Sequence, residues 1–483
     1  MQDCHNKINS FCNISKNNWS IVLAVILTPI LLYAVLYILP THDDWVGSST
    51  PDFRPFFIKE HFLFFGYHWR PFDTWIGYIA GRNPQVLFPT FNHILVVLGH
   101  LLCTLAIYQL LQVLNVKKEA RNIATFYFFI TPATMATVTA VDSQNQVYAL
   151  FFGIAAFLLY IKAKRMKYIV WPLLVFIAAL SKENGLMWAL ICPILAYGFD
   201  FIDKKTLKKD IVIGIAIMTV YALAIILLPK DIIIHPEYVT GMMKIVKNCI
   251  KFLFSTFITV DYIYLLHQPS RNLLLAAITL ILALPFFYFV FVKQWKLLCN
   301  KRIVCTLICI VIAVGPHLGT IFSMMHTYAG LTFVTVIIAL SIEQYKNNMK
   351  PVILSFCLWV VTTVAINVHL ILSSIDSGLI GKAMAQEAIQ KTGDAVDRVY
   401  IIIIEDDYPK LSSFCVIPNE AFGWGLAAKY ETNYQWPKAI VDTTIERSDD
   451  AFRKAEQLGL DTLKNKRFDC VWIVDKKNIS VIK

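Results

Sequence analysis

Charge is scarce in this chain: only 16% of its 483 residues are Asp, Glu, Lys or Arg, where ordinary soluble domains carry about 25%. That shortage excludes a soluble globular protein, whose surface needs more ionisable groups than this. Repeats with a period of about 20–50 residues are missing, which argues against a solenoid. No low-complexity segment suggests a disordered linker. The C-terminal part has no GxGxxG sequence, no P-loop and no spacing of metal ligands, so neither dinucleotide nor Walker-type nucleotide binding is expected there.

The chain is instead apolar, 57% hydrophobic and 13% aromatic. Residues 20–39 run without a charge for 20 positions, and at ~1.5 Å per residue they cover about 30 Å, one hydrocarbon thickness. A secretory signal core is shorter, about 7–15 residues. This run ends in Pro40 and the polar Thr41-His42-Asp43-Asp44, so an uncleaved signal anchor is predicted. Further apolar segments at 89–114, 122–140, 146–161, 168–180, 186–202, 211–229, 272–292, 303–321, 328–343 and 351–372 predict about 11 transmembrane helices in all.

The net charge of +11 suggests nucleic acid or membrane binding until its placement is considered. Basic residues cluster in every second connection and in the N-terminal tail, which together hold 19 of the 29 before residue 373. The three short alternate connections hold Lys182 alone. The positive-inside rule then puts the N-terminus in the cytoplasm and the C-terminus outside, and no nucleic-acid partner is expected. The expected order is a cytoplasmic tail (1–19), a transmembrane domain (20–372) with external loops 40–88 and 230–271, and a soluble extracytoplasmic domain (373–483). Residues 252–266 are read as an interfacial or re-entrant helix within the second loop. The aromatic residues of the first loop, 14 between positions 40 and 91, suit the headgroup level.

From about residue 373 the chain has 15 basic and 17 acidic residues and no long apolar run. Helix-like stretches at 380–390 and 448–463, a β-branched strand at 398–404 and a hairpin at 468–482 predict a small α/β domain. Cys415 and Cys470 are the two cysteines there, and a disulfide between them is left open.

The chemistry is expected where ionisable groups collect away from the basic side. Asp43 and Asp44 stand just past the first span, where neighbouring carboxylates beside a low-dielectric slab compete for ionisation. One of them is thereby suited to act as a general base. Asp142 follows the third span in a short external turn, and Lys182 with Glu183 forms another. Lys182 departs from the positive-inside pattern and so points to an anionic partner. In His68-Trp69-Arg70-Pro71, Arg70 can clamp a phosphate or snorkel. His326 and Tyr328 lie near the tenth span, whereas His100 and His317 read as satisfied core histidines.

The order Asp43-Asp44, Trp69-Arg70-Pro71, Asn92-His93, Thr131-Pro132 leading to Asp142, Ser181-Lys182-Glu183-Asn184-Gly185 and His326-Thr327-Tyr328 resembles the C-type (GT-C) glycosyltransferase superfamily. Its members take a sugar from a polyprenyl-phosphate donor at the non-cytoplasmic face. The resemblance covers about residues 20–345 and is nearest the bacterial integral membrane enzymes similar to TPR-containing transmembrane O-mannosyltransferases. Protein O-mannosyltransferases and aminoarabinose lipid A transferases are more distant in layout. It implies Asp43 or Asp44 as catalytic base, Asp142 as second acid, Lys182 and Arg70 as donor-phosphate contacts, and Glu183, His68, His326 and Tyr328 as supporting residues. Two departures stand out: relatives usually show an Arg-Tyr pair at His326-Thr327-Tyr328, and no TPR repeats follow the spans. The implied partners are a polyprenyl-phosphate-linked sugar, a glycan, lipid or protein acceptor, and membrane lipid, in a bacterial inner membrane. No cofactor is required, and use of a divalent metal is left open because histidines and acids are present without ligand spacing. Two alternatives remain: a carrier or flippase for a lipid-linked saccharide, and a non-catalytic membrane scaffold.

Overall fold

The computed structural model describes residues 18–41, 44, 70–72, 75–76, 79, 84–227, 241–257, 269–319, 322–345, 348–393, 396–405, 418–432 and 436–483. The expectations for the N-terminal tail, Asp43, His68, most of the first external loop and Cys415 lie outside these residues.

The fold is predominantly helical with a small C-terminal sheet. Its helices are α1 (Trp19–Val35), α2 (Thr90–Val113), α3 (Lys118–Ile130), α4 (Pro132–Val138), α5 (Gln144–Lys162), α6 (Lys167–Ser181), α7 (Trp188–Gly198), α8 (Lys204–Leu227), α9 (Met242–Phe257), α10 (Pro269–Phe287), α11 (Lys301–Leu318), α12 (Tyr328–Ile342) and α13 (Lys350–Thr392). Among the described residues, six helical stretches are long and apolar enough to cross a membrane: Thr90–Val113, Val141–Lys162, Lys204–Leu227, Lys301–Leu318, Met324–Ile342 and Lys350–Thr392. Trp19–Val35, Lys167–Ser181 and Ala277–Val292 are apolar but shorter.

The difference from 11 full-length spans has local causes. The apolar segment 122–140 breaks where Pro132 opens α4, because proline has no N–H to continue α3 and suits the first position of a new helix. The segment 186–202 yields the 11-residue α7 behind a 3₁₀ turn, Glu183–Met187. That turn lies so close to α6 that a Cβ on Gly185 would stand 2.4 Å from the Ala178 carbonyl. The 16-residue α9, about 24 Å long, is short of a hydrocarbon thickness. It packs on the bundle through Phe252, Ser255 and Thr256.

At the centre stands α12, buried at every residue but Ala329. A helix apolar all round belongs in such a position. Ser20 donates a hydrogen bond to Asn122 at 2.7 Å, tying α1 to α3. Around the core, α8 turns Val212, Ile215, Val220, Leu223 and Ile226 outward, the face expected to meet lipid tails.

The largest departure from expectation is α13. The sequence suggests a boundary near 373 and a separate helix at 380–390, but one helix of 43 residues runs from Lys350 to Thr392, about 65 Å. No proline interrupts it after the first turn, and its glycines serve close packing: a Cβ on Gly378 would meet Leu39 at 2.7 Å, and one on Gly381 the Ala421 carbonyl oxygen at 2.2 Å. The last turns of α13 therefore belong to the C-terminal domain, where Met384, Ala385 and Ala388 share a core with Val399, Ile401, Phe422 and Trp472.

That domain holds strands β1 (Arg398–Ile404), β2 (Ala439–Ile445), β3 (Cys470–Asp475) and β4 (Asn478–Ile482) in the order β2-β1-β3-β4. β1 pairs in parallel with β2 and β3, and β4 is antiparallel to β3. α14 (Leu426–Glu431) lies on the face with α13, and α15 (Ala451–Lys464) covers the other through Ala451 and Ala455. Covered on both faces, β1 is apolar almost throughout, as parallel strands are. β2 is half exposed, so it lacks the apolar run that made β1 visible in sequence. Cys470 is a buried free thiol, and burial pushes it up to about 11.

The domain sits on one end of the bundle. Phe88 and Val141 of the membrane region belong to its core, and the Tyr430 hydroxyl donates to the Phe88 carbonyl at 2.9 Å. Gly381→Ala should lower the thermal midpoint, costing about 1–3 kcal/mol by overpacking against backbone that cannot retreat. Gly315→Ala, where a Cβ meets nothing within 4 Å, should leave the midpoint unlowered. Equal midpoints for the two variants would contradict this packing.

Candidate functional site

Asp44 is buried at 7% exposure. Its Oδ2 accepts the Thr41 N–H at 3.2 Å and its Oδ1 the Asp142 N–H at 3.0 Å. Asp142 lies in the 3₁₀ turn Val141–Ser143 that leads into α5. A helix start leaves N–H groups unpaired and carries partial positive charge, so a carboxylate is favoured there. That 3₁₀ turn already carries Asp142, and Asp44 brings a second carboxylate to it from 98 residues earlier. The chain before Asp44 is held by His93, whose Nε2 lies 3.0 Å from the Ile38 carbonyl oxygen. Asp44 thus meets the backbone of the Asp142 turn.

One turn further, α5 presents two buried amides, Asn145 and Gln146, to the end of α6. Lys182 leaves α6 in an extended conformation and is buried at 6% exposure. Its Nζ donates to Asn145 Oδ1 at 3.4 Å. With the Gln146 amide oriented to satisfy its neighbours, its oxygen accepts from Lys182 Nζ at 3.1 Å and its nitrogen donates to the Met325 carbonyl at 2.9 Å.

Glu183 takes Arg70 from the first loop. The guanidinium grips it twice, Nε at 3.0 Å from each carboxylate oxygen and Nη2 at 2.8 Å from Oε2. Such a bidentate fork fixes both side chains in direction as well as distance. The next residue, Asn184, places Nδ2 3.3 Å from His317 Nε2. The His317 ring lies 4.5 Å from that of His326, centroid to centroid, and both imidazoles lie in the fields of Lys182 and Arg70. Ser323 N–H donates to His326 Nδ1 at 3.0 Å, so the neutral ring carries its proton on Nε2.

Asp44, Arg70, Asp142, Lys182, Glu183 and His326 therefore gather at one end of the bundle, the end that bears the C-terminal domain. Tyr328 does not join them. Its hydroxyl pairs with His100 Nδ1 at 2.8 Å inside the core, and His100 Nε2 reaches the Phe129 carbonyl at 3.0 Å. His100 is the satisfied core histidine expected, whereas His317, expected to be another, belongs to the cluster. Asn145, Gln146, Asn184 and Ser323 carry no signal of their own in sequence beyond being polar at the mouths of apolar helices. Among the described residues no group of three or more His, Cys, Asp or Glu could hold a metal ion.

The arrangement sets carboxylates at the start of α5 within a few residues of a lysine, an arginine and two imidazoles. It can accept a proton at one edge and steady an anion at the other. Asp44→Ala leaves the buried Thr41 N–H and the partly buried Asp142 N–H without this acceptor and should cost about 1–3 kcal/mol, read as a fall in the unfolding midpoint, while Asp44→Asn should retain part of it. A double-mutant cycle of Arg70→Ala and Glu183→Ala should give a coupling of about 0.5–3 kcal/mol, and additive effects would show that the pair contributes nothing. No known protein family matches the chain, and no curated protein matches it either.

Proposed function

We propose that the chain is a multi-pass membrane glycosyltransferase of the C-type, moving a sugar from a polyprenyl phosphate to an acceptor hydroxyl at the non-cytoplasmic face. The supporting observation is the convergence of Asp44, Arg70, Asp142 and the 182–184 turn, drawn from four separate segments, at one end of an apolar helical bundle. In this reading 11 segments cross a bacterial inner membrane, several of them as short or broken helices, and the C-terminal domain lies outside beside the site.

The proposed chemistry uses that arrangement. A first-loop carboxylate, Asp44 among the described residues with Asp43 its neighbour in sequence, takes the proton of the acceptor hydroxyl. The acceptor oxygen bonds to the anomeric carbon, the bond from that carbon to the phosphate oxygen breaks, and the configuration inverts. Lys182 and Arg70 steady the departing polyprenyl phosphate. Arg70 reaches the phosphate by sharing or exchanging the Glu183 carboxylate.

Purified protein in vesicles should transfer labelled sugar from the lipid donor only when an acceptor is present. Donor crossing the bilayer unaided, with no product, would instead favour the carrier reading. Asp44→Asn should lower turnover about 10²–10⁴-fold, the usual range for a lost general base, with its unfolding midpoint serving as the check on folding. Lys182→Gln should chiefly weaken use of the donor. Full activity in Asp44→Asn and Asp43→Asn, singly and together, would end this proposal.

A further inference from the structure

At the opposite end of the bundle, the connection between α5 and α6 and the start of α8 are drawn together by one buried carboxylate. Asp210 is fully buried and accepts hydrogen bonds from Lys167 Nζ at 2.7 Å, from the Tyr168 hydroxyl at 3.0 Å and from the Tyr160 hydroxyl. The Lys167 and Lys209 ammonium groups lie 4.9 and 4.6 Å from the centroid of the same Tyr168 ring. Asp210 neutralises the first. Lys209 has no carboxylate partner among the described residues.

Four bases lie between residues 162 and 167 and four lysines between 204 and 209, against three acids, Asp200, Asp203 and Asp210. All three are engaged, for Asp200 Oδ1 accepts from Lys301 Nζ at 2.6 Å and Asp203 Oδ1 accepts the Thr206 N–H at 2.8 Å. The four lysines occupy the first turns of α8, where the helix dipole disfavours cations, and that first turn holds no acid. Beside them the apolar Met166 and Ile169 are 57% and 65% exposed. Cations at a helix mouth, an aromatic ring between them and apolar side chains turned outward describe the headgroup level of a bilayer.

We propose that this clasped pair of loops is a binding site for the headgroup of an anionic phospholipid in the adjoining leaflet. Lys209, against the Tyr168 ring, holds the phosphate with Lys205 one turn before it on the same helix face, and Asp210 keeps the two loops in register. The site is independent of the transferase reading, and a positive-inside bias alone does not create it. Such a bias needs only the number of charges, whereas here a buried acid fixes where two basic segments meet.

The full chain in phosphatidylcholine micelles, titrated with dioleoylphosphatidylglycerol, should show a rising unfolding midpoint that saturates. The double variant Lys205→Gln with Lys209→Gln should weaken the apparent affinity at least about tenfold. The charge-matched Lys117→Gln with Lys118→Gln should leave it nearly unchanged. Lys209→Gln alone serves if the first double variant does not fold, and should lose affinity in the same direction. Equal losses in the two charge-matched variants, no preference for phosphatidylglycerol, or an equal rise with inorganic phosphate in its place would each overturn the proposal.

Discussion

A carboxylate buried at the end of a helical bundle must be held by donors. Those that hold Asp44 are backbone N–H groups at Thr41 and at Asp142, 98 residues further along. The bond to Asp142 joins the exit of α1 to the turn that leads into α5. Everything at this end follows from that junction: the register of α5 puts Asn145 and Gln146 against Lys182, and the Lys182 turn then sets Glu183 toward Arg70 and Asn184 toward His317.

Two kinds of charge result. At the Asp44 end, side chains of both signs are buried or half buried and held by specific partners, so their positions are fixed. At the other end most of the described basic residues are exposed, and the buried Asp210 serves to hold segments together. Between the two ends α12 carries no Asp, Glu, Lys, Arg or His over its length. The net charge of +11 is thus mostly a matter of the Asp210 end, while the Asp44 end is organised by pairing.

Much of this was legible in sequence where a single local cause decides it. Apolar runs located the helices, Lys182 stood out against the charge pattern, and the β-branched run at 398–404 located the central strand. What stayed hidden depends on contacts between distant segments. Asp44 and Asp142 were both suspected, but not their bond. Glu183 lay beside Lys182 in sequence, whereas the structure gives it Arg70, 113 residues away. His317 looked like His100, an imidazole in an apolar helix, and only the neighbourhood of Asn184 and His326 separates the two. β2 escaped because an edge strand with one open face needs no apolar run, and α13 because a change of composition at 373 does not interrupt a helix.

That last point bears on the site itself. A flexible link at the membrane exit would leave backbone groups to be satisfied individually and would let the C-terminal domain drift. A continuous helix satisfies them internally and transmits its orientation rigidly. Gly378 and Gly381 bring α13 to within contact of Leu39 and Ala421, and Tyr430 fastens the domain to Phe88. Val141, buried in the domain's core, is the residue immediately before Asp142. The domain is therefore packed against the residue that precedes the Asp142 turn, and its position is tied to that of the candidate site.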